Sequence, residues 1–466
     1  MGAEQYGLFN YLKVFYEKIV NFFDIGTAAF YPKLSQRPSD RGILRFVVLY
    51  DAVLFFGSFI MLGFLFISGQ AKTVLTTESL LIAGSALLLA WILLLNQKMT
   101  AFMDAIGKTL TNEVVLLFMR ITLTTGLVLL FIINRLNLAS YLIIQTVIMS
   151  LFLFVLVLFA FRYFPRAQKS RSVKETAVEF KDYSLPLFWA SLMGLVAGLA
   201  DRWLLQVFGG ATAQGYYSLG FNLGAICVVL TSSLTPLLMR EYAIAHEKKD
   251  KDRLKHLFSK YLPLFFFVTA IISCFLAVHG DWLAPLIGGD EFSNAALPVM
   301  LLGLAPIHQT YGQLSGALMV TTDRTREYGK IDIFITMLGL PVTYFILAPE
   351  NYGGVNLGAM GLAIKLVVLQ VIAVNIQLWY NTRYLNISMK QFIIHQIGSV
   401  LLLITIAFTS KFLVASVLNQ GIIAMLASGS LYITIVFVTI LLFPGLIAMT
   451  RIELLNHINS PLAFLK

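Results

Sequence analysis

Apolar residues fall along this chain in long unbroken runs, at 7–30, 43–68, 79–96, 113–134, 138–162, 184–208, 213–239, 261–280, 293–320, 331–348, 357–382, 391–414 and 420–446. A helix needs about 20 such residues to cross roughly 30 Å of hydrocarbon, so each run is a candidate span. Continuous runs are not the alternation of a membrane barrel strand. The pattern predicts an all-α integral membrane protein with about thirteen transmembrane helices. Lys13, Glu17, Lys18 and Asp24 interrupt the first run, which makes it the weakest of the series.

The stretch 183–217 carries the most information. It is apolar enough to span, yet Asp201 and Arg202 lie inside it. Ionised side chains in hydrocarbon are costly unless they pair or face water. Ala190, Gly194, Gly198 and Asp201 recur at i, i+4, i+8 and i+11, so they share one helical face. A small-residue face suits close packing on a neighbouring helix and turns Asp201 into the protein. The expectation is a helix that walls a polar cavity within the membrane.

Composition supports the membrane reading. Of 466 residues 58% are hydrophobic and only 12% charged, with a mean hydropathy of +0.81. The net charge of +10 does not point to nucleic acid, because its placement follows the loops. Alternate loops hold 26 Lys and Arg residues, with Lys98 and Lys108 counted among them, and the opposite loops hold three. By the positive-inside rule the rich set is cytoplasmic, which puts the amino terminus outside and the carboxyl terminus inside. Cys227 and Cys274 lie in apolar spans without a ligand-spaced partner and read as packing residues.

Two segments echo each other. Ala3-Glu4-Gln5-Tyr6-Gly7 matches Ala213-Gln214-Gly215-Tyr216-Tyr217, and the stretch from Ala101 to Thr109 matches that from Ala317 to Thr325, at offsets of 210 and 216. Together they predict two homologous halves inserted in the same sense. The expected organisation is an amino-terminal lobe at 1–166, a carboxyl-terminal lobe at 183–382 and an extra helix pair at 391–446. No counterpart of the 184–208 span precedes Ala3, so the first of fourteen expected helices is read as missing, with a late start codon as the explanation.

With GAEQYGLFNYL, FFDIGTAAF, YSLPLFWASL, the interior Asp201-Arg202 and GGDEFSNAALPVMLLGLAP, the chain resembles the polysaccharide flippases of the multidrug/oligosaccharidyl-lipid/polysaccharide exporter superfamily, the O-antigen (Wzx-type) group in particular. The resemblance covers nearly the whole chain in order of spans. It implies two MATE-like six-helix lobes around a cavity that opens alternately to each side of the bacterial inner membrane. It also implies an undecaprenyl-diphosphate-linked oligosaccharide as cargo, with coupling to H+ or Na+ left open. Membrane lipids and polysaccharide assembly proteins are the implied partners. A cation-coupled multidrug antiporter of the same fold is the alternative.

An anionic diphosphate calls for cations, Arg for bidentate contact and Lys as a point charge. The candidates are Arg202, Arg120, Lys365, Lys13 and Lys18, with Asp201, Asp24 and Asp332 as coupling or cavity acids. Each has a plainer reading. Arg202 sits about two turns from the outer surface and can snorkel, Lys13 and Glu17 at i, i+4 can neutralise each other, and Arg120 can anchor on Asp51 or on carbonyls. Asp332 can be interfacial, and Asp24 precedes a possible helix break at Gly26. His308, behind Pro306, is read either as a proton relay or as a hydrogen-bonded core residue. No nucleophile–base pair, metal-ligand cluster or nucleotide fingerprint stands out, so neither an enzyme nor a bound cofactor is expected.

Overall fold

The computed structural model describes residues 2–24, 41–77, 79–105, 108–163, 172–419, 421–449 and 453. Among the described residues the chain is helical with no strand, and thirteen helices have 21 residues or more. They are α1 (Ala3–Asp24), α2 (Arg41–Ile67), α3 (Leu80–Ala105), α4 (Thr109–Ile132), α5 (Leu138–Tyr163), α6 (Val173–Leu204) and α7 (Gly210–Glu247). After them come α8 (Lys251–Val278), α9 (Ala296–Thr321), α10 (Thr325–Leu347), α11 (Gly358–Leu385), α12 (Met389–Ala415) and α13 (Ile422–Leu442). Nine of these (α2–α5, α8 and α10–α13) are each long and apolar enough to cross a membrane, and the bent pair Gly198–Val229 and Thr231–Glu247, at 43°, makes a tenth. Charge explains why α1 is not among them.

The helix ends follow from local chemistry. Ser172 and Glu175 form a capping box at the start of α6, where the Lys174 N–H donates to Ser172 Oγ at 3.1 Å. Asn137 and Ser140 cap α5 reciprocally, each backbone N–H donating to the other's side chain at 2.9 Å. Asp250 accepts from the Arg253 N–H at 2.9 Å and starts α8. A π-helical turn at Leu205–Gly209 closes α6, and Gly210 at φ 74° begins α7. That backbone angle suits glycine alone.

By its contacts the chain divides into two units, Ala3–Gln214 and Gly215–Lys466, apart from the first two residues. This division falls later than the 166–183 boundary read from the sequence, because α6 packs on α1 and α2. In the first unit, Phe9, Tyr11, Leu12 and Tyr16 of α1 bury against Ala83, Ala86, Ala90 and Trp91 of α3, with Leu138 and Leu142 of α5 alongside. The three alanines give aromatic rings room on a helix face.

The second unit centres on α8, α9 and α11, around Phe258, Phe266, Phe267 and Tyr311. The hydroxyls of Thr231, Thr269 and Thr310 hydrogen-bond in a buried triangle at 3.1–3.2 Å, so α7, α8 and α9 satisfy one another's polar groups. Gly220 and Gly224 of α7 seat directly on α9, and a Cβ at 224 would lie 2.8 Å from the Leu302 carbonyl oxygen. Backbone cannot give way as a flexible side chain can. Gly224→Val is therefore expected to destabilise by about 1–3 kcal/mol, measured as a fall in the thermal midpoint of detergent-purified protein.

The second pair of echoing segments ends in like backbone turns. Lys108 N–H donates to the Met103 carbonyl at 2.8 Å, and Arg324 N–H to the Met319 carbonyl at 2.9 Å. The Lys108 carbonyl accepts from Asn112, and that of Arg324 from Tyr328, at 3.0 and 3.2 Å. The two residues share their dihedral angles (φ −105°, ψ 32° and φ −101°, ψ 35°), and Met103 and Met319 are both fully buried. Segments 216 residues apart fold alike.

Candidate functional site

Lys18 and Arg202 lie where α1 packs on α6. Lys18 lies over Gly198: a Cβ at 198 would be 3.1 Å from its Cε and 3.2 Å from its Nζ. The small-residue face of α6 thus receives a lysine stem. Arg202 is one turn further along the same face and only 9% exposed. Asp201 is half-buried, and both it and Arg202 have interaction partners. Lys13 Nζ stands 3.9 Å from Glu17 Oε1, with both side chains about one-third exposed. That spacing within one turn is weak and leaves the ammonium accessible. The Tyr16 hydroxyl, on the same helix, is buried without a partner among the described residues. At the far end of α6, Gln206 Nε2 donates to Thr76 Oγ1 at 3.0 Å and ties the helix to the short turn Ala71–Leu75.

Arg120 stands apart. It is exposed near the middle of α4, and with Glu113, Val114 and Leu117 it lines a recess of about 260 Å3. No hydrogen bond or ion pair reaches it among the described residues. Asp51, suggested as its alternative anchor, instead pairs with Lys98 at 2.6 Å. That pair also corrects the loop tally. Lys98 is not a cytoplasmic loop cation but a residue of α3 that is 1% exposed. Asp24 ends α1, and its side chain lies outside the described residues.

In the second unit, Lys365 of α11 is 9% exposed and packs on Gly339 of α10, where a Cβ would lie 3.3 Å from Lys Cε and 3.5 Å from Nζ. A lysine laid over a glycine of the next helix therefore occurs once in each unit. Asp332 is exposed on α10, two turns before Gly339 and on the same face. His308 is half-buried, and its Nδ1 has no partner among the described residues. The hydrogen-bonded alternative is thus not seen at that nitrogen.

A cluster the sequence reading passed over closes one end of the second unit. Arg324 donates through Nε to Thr322 Oγ1 at 3.0 Å and through an Nη to Asn381 Oδ1 at 2.7 Å, and it lies 4.1 Å over the Tyr384 ring. Burial lowers its guanidinium below the usual arginine range. His246 contacts Asp323 at 3.2 Å beside it. The repeat marked the position, since Arg324 matches Lys108, but Asn381 and Tyr384 come from α11, some 57 residues or more on.

Chemically, the α1–α6 seam offers the Lys18 ammonium and, one turn further along α6, the Arg202 guanidinium, an arrangement that can hold a di-anion. The described residues contain no group of three His, Cys, Asp or Glu placed to hold a metal ion.

Comparison with known proteins agrees with this architecture. The family model described as "Polysaccharide biosynthesis protein" matches residues 1–297. Lipopolysaccharide biosynthesis protein WzxC of Escherichia coli (strain K12) is 26% identical over 181 residues, which is 38% of this chain and 34% of WzxC. The chain thus matches about a third of the length of that relative. Two solved structures share the fold at 12% identity. An inward-facing multidrug resistance MATE family transporter of the MOP superfamily has a TM-score of 0.62, with 84% of this chain and 92% of that one covered. The lipid II flippase MurJ in an inward closed conformation has a TM-score of 0.59, with 94% and 97% covered.

Proposed function

We propose that this chain, which belongs to the polysaccharide biosynthesis protein family, is a non-catalytic flippase that carries an undecaprenyl-diphosphate-linked oligosaccharide across the bacterial inner membrane. The observation that carries the proposal is the α1–α6 seam, where Lys18 lies over Gly198 and Arg202 is withdrawn from lipid one turn away. A diphosphate needs cations at membrane depth, and a cation held at a helix interface is kept from snorkelling away. WzxC, the similar protein of polysaccharide assembly, and MurJ, named for flipping lipid II, support a lipid-linked cargo.

In this reading Arg202 and Lys18 engage the diphosphate while Lys13 receives it from the surface. Arg120 and Lys365 supply further positive charge, and Asp201 and Asp332 are the groups through which H+ or Na+ coupling acts. The cargo's tail stays in the bilayer throughout, so binding has only the polar head to desolvate. The amino terminus faces outward and the carboxyl terminus the cytoplasm.

The test is reconstitution of the purified chain in vesicles holding undecaprenyl-diphosphate-linked N-acetylglucosamine with a fluorescent tag. Addition of a membrane-impermeant quencher is expected to reach nearly all the lipid in protein-containing vesicles, against about half in empty ones. Equal quenching in both would refute the carrier function.

A further inference from the structure

We infer that the second unit holds a separate subsite for the uncharged sugar portion of the cargo, in a cavity of about 730 Å3 between α7, α9 and α11. The inference rests on the flippase reading and deepens it.

The cavity lies in the size range of ligand pockets, roughly 300–1,000 Å3. Among the described residues its lining holds no ionisable side chain. Polar groups come from each of the three helices: Ser232 and Ser233 on α7, Gln309 on α9 and Gln370 on α11. Phe221 adds an aromatic face, and Pro306 of α9 lies at the wall. Gln370 Oε1 is buried with no partner among the described residues. Gln309 and Ser232 are exposed into the same space, and the Ser233 hydroxyl donates to the Val229 carbonyl at 2.9 Å while its oxygen stays able to accept.

These features separate three kinds of occupant. A phosphate would enter a low-dielectric cleft with no countercharge, which is strongly unfavourable. An isoprenoid tail would cover two amide groups and the Ser232 hydroxyl with hydrocarbon and leave them unsatisfied. A neutral polyhydroxylated ring fits both ways. Glutamine amides donate and accept at once, as sugar hydroxyls do, and the apolar face of a pyranose lies well on an aromatic ring. The wall is built to keep its shape, because Gly224 seats α7 on the α9 backbone and the threonine triangle pins α7 to α8 and α9 behind it. Sugar recognition is thus assigned to amides within α7–α9–α11, distinct from the Arg202 and Lys18 grip on the diphosphate along α1–α6.

The experiment uses the full chain in lipid nanodiscs and a decyl maltoside carrying a diazirine on its sugar as probe, with labelled peptides read by mass spectrometry. Label is expected on peptides containing 221–233, 302–309 and 366–370. It should be displaced by excess decyl maltoside and not by decyl phosphate or farnesol. Gln370→Leu combined with Gln309→Leu is expected to lower labelling at least fivefold, and Gln370→Asn, which keeps an amide, to lower it less. Arg202→Gln is expected to leave it unchanged. Label outside these segments overturns the subsite, as does equal displacement by decyl phosphate or farnesol, or unchanged label in the Leu variants at wild-type thermal midpoint. If the Leu variants do not fold, the competition pattern on the wild type decides. Loss of vesicle flipping by the wild type would refute the carrier function instead and leaves the labelling result to stand or fall separately.

Discussion

Arg202→Gln is expected to cut surface-polysaccharide output at least tenfold while the protein remains in the membrane at wild-type amount. The magnitude follows from the contact. A hydrogen bond to a charged group contributes about 1.5–3 kcal/mol, and each 1.4 kcal/mol is a factor of about ten. Loss of a two-pronged guanidinium grip on a diphosphate therefore falls between roughly ten- and a hundredfold. Glutamine keeps a donor in the α1–α6 interface, so packing around this 9%-exposed position changes little. Arg202→Lys should recover part of the activity, with charge restored but not the planar fork. Lys18→Gln should cost less, because Lys18 is exposed and a neighbouring cation remains. Export is scored in a strain lacking the native transporter, and membrane content by immunoblot. Wild-type export from Arg202→Gln would remove this residue from the site.

The spans were legible because hydrocarbon imposes one rule on every residue it touches: runs such as 113–134 and 391–414 reappear as α4 and α12. The echo between 101–109 and 317–325 was legible too, and Lys108 and Arg324 share backbone geometry. Helix rotation was not. A helix apolar on all sides has no face that declares itself, and α5 reads alike toward lipid and toward α3. For the same reason sequence could not separate Arg120, exposed along α4, from Arg202, buried on α6. Gly198 did carry the signal that a neighbour approaches closely, but not that the neighbour is Lys18. The amides of the second cavity were invisible for a related reason. Gln309 and Gln370 lie on helices 61 residues apart in sequence, and nothing local marks them as one lining.

Lys98 shows the same limit in its sharpest form, and it supports the second large effect. Followed by Met99 and Thr100 after Asn96-Gln97, it looks like the start of a loop, yet it sits in α3 with its ammonium 2.6 Å from Asp51 of α2. The lysine is 1% exposed and the aspartate residue 9%, so neither charge is well hydrated. Removing one member of a buried ion pair costs about 3–5 kcal/mol. Lys98→Met and Asp51→Asn are each expected to lower the thermal midpoint strongly and to reduce the amount of protein that survives detergent extraction. The double variant Lys98→Met with Asp51→Leu removes both charges of the pair and is expected to regain part of that stability. A transport role for the pair would give the opposite pattern, with all three variants folded and all three inactive. Thermal midpoints of the four proteins in the same detergent, set beside their export activity, separate the two. Additive losses in the double variant would show that the ion pair does not hold α2 to α3.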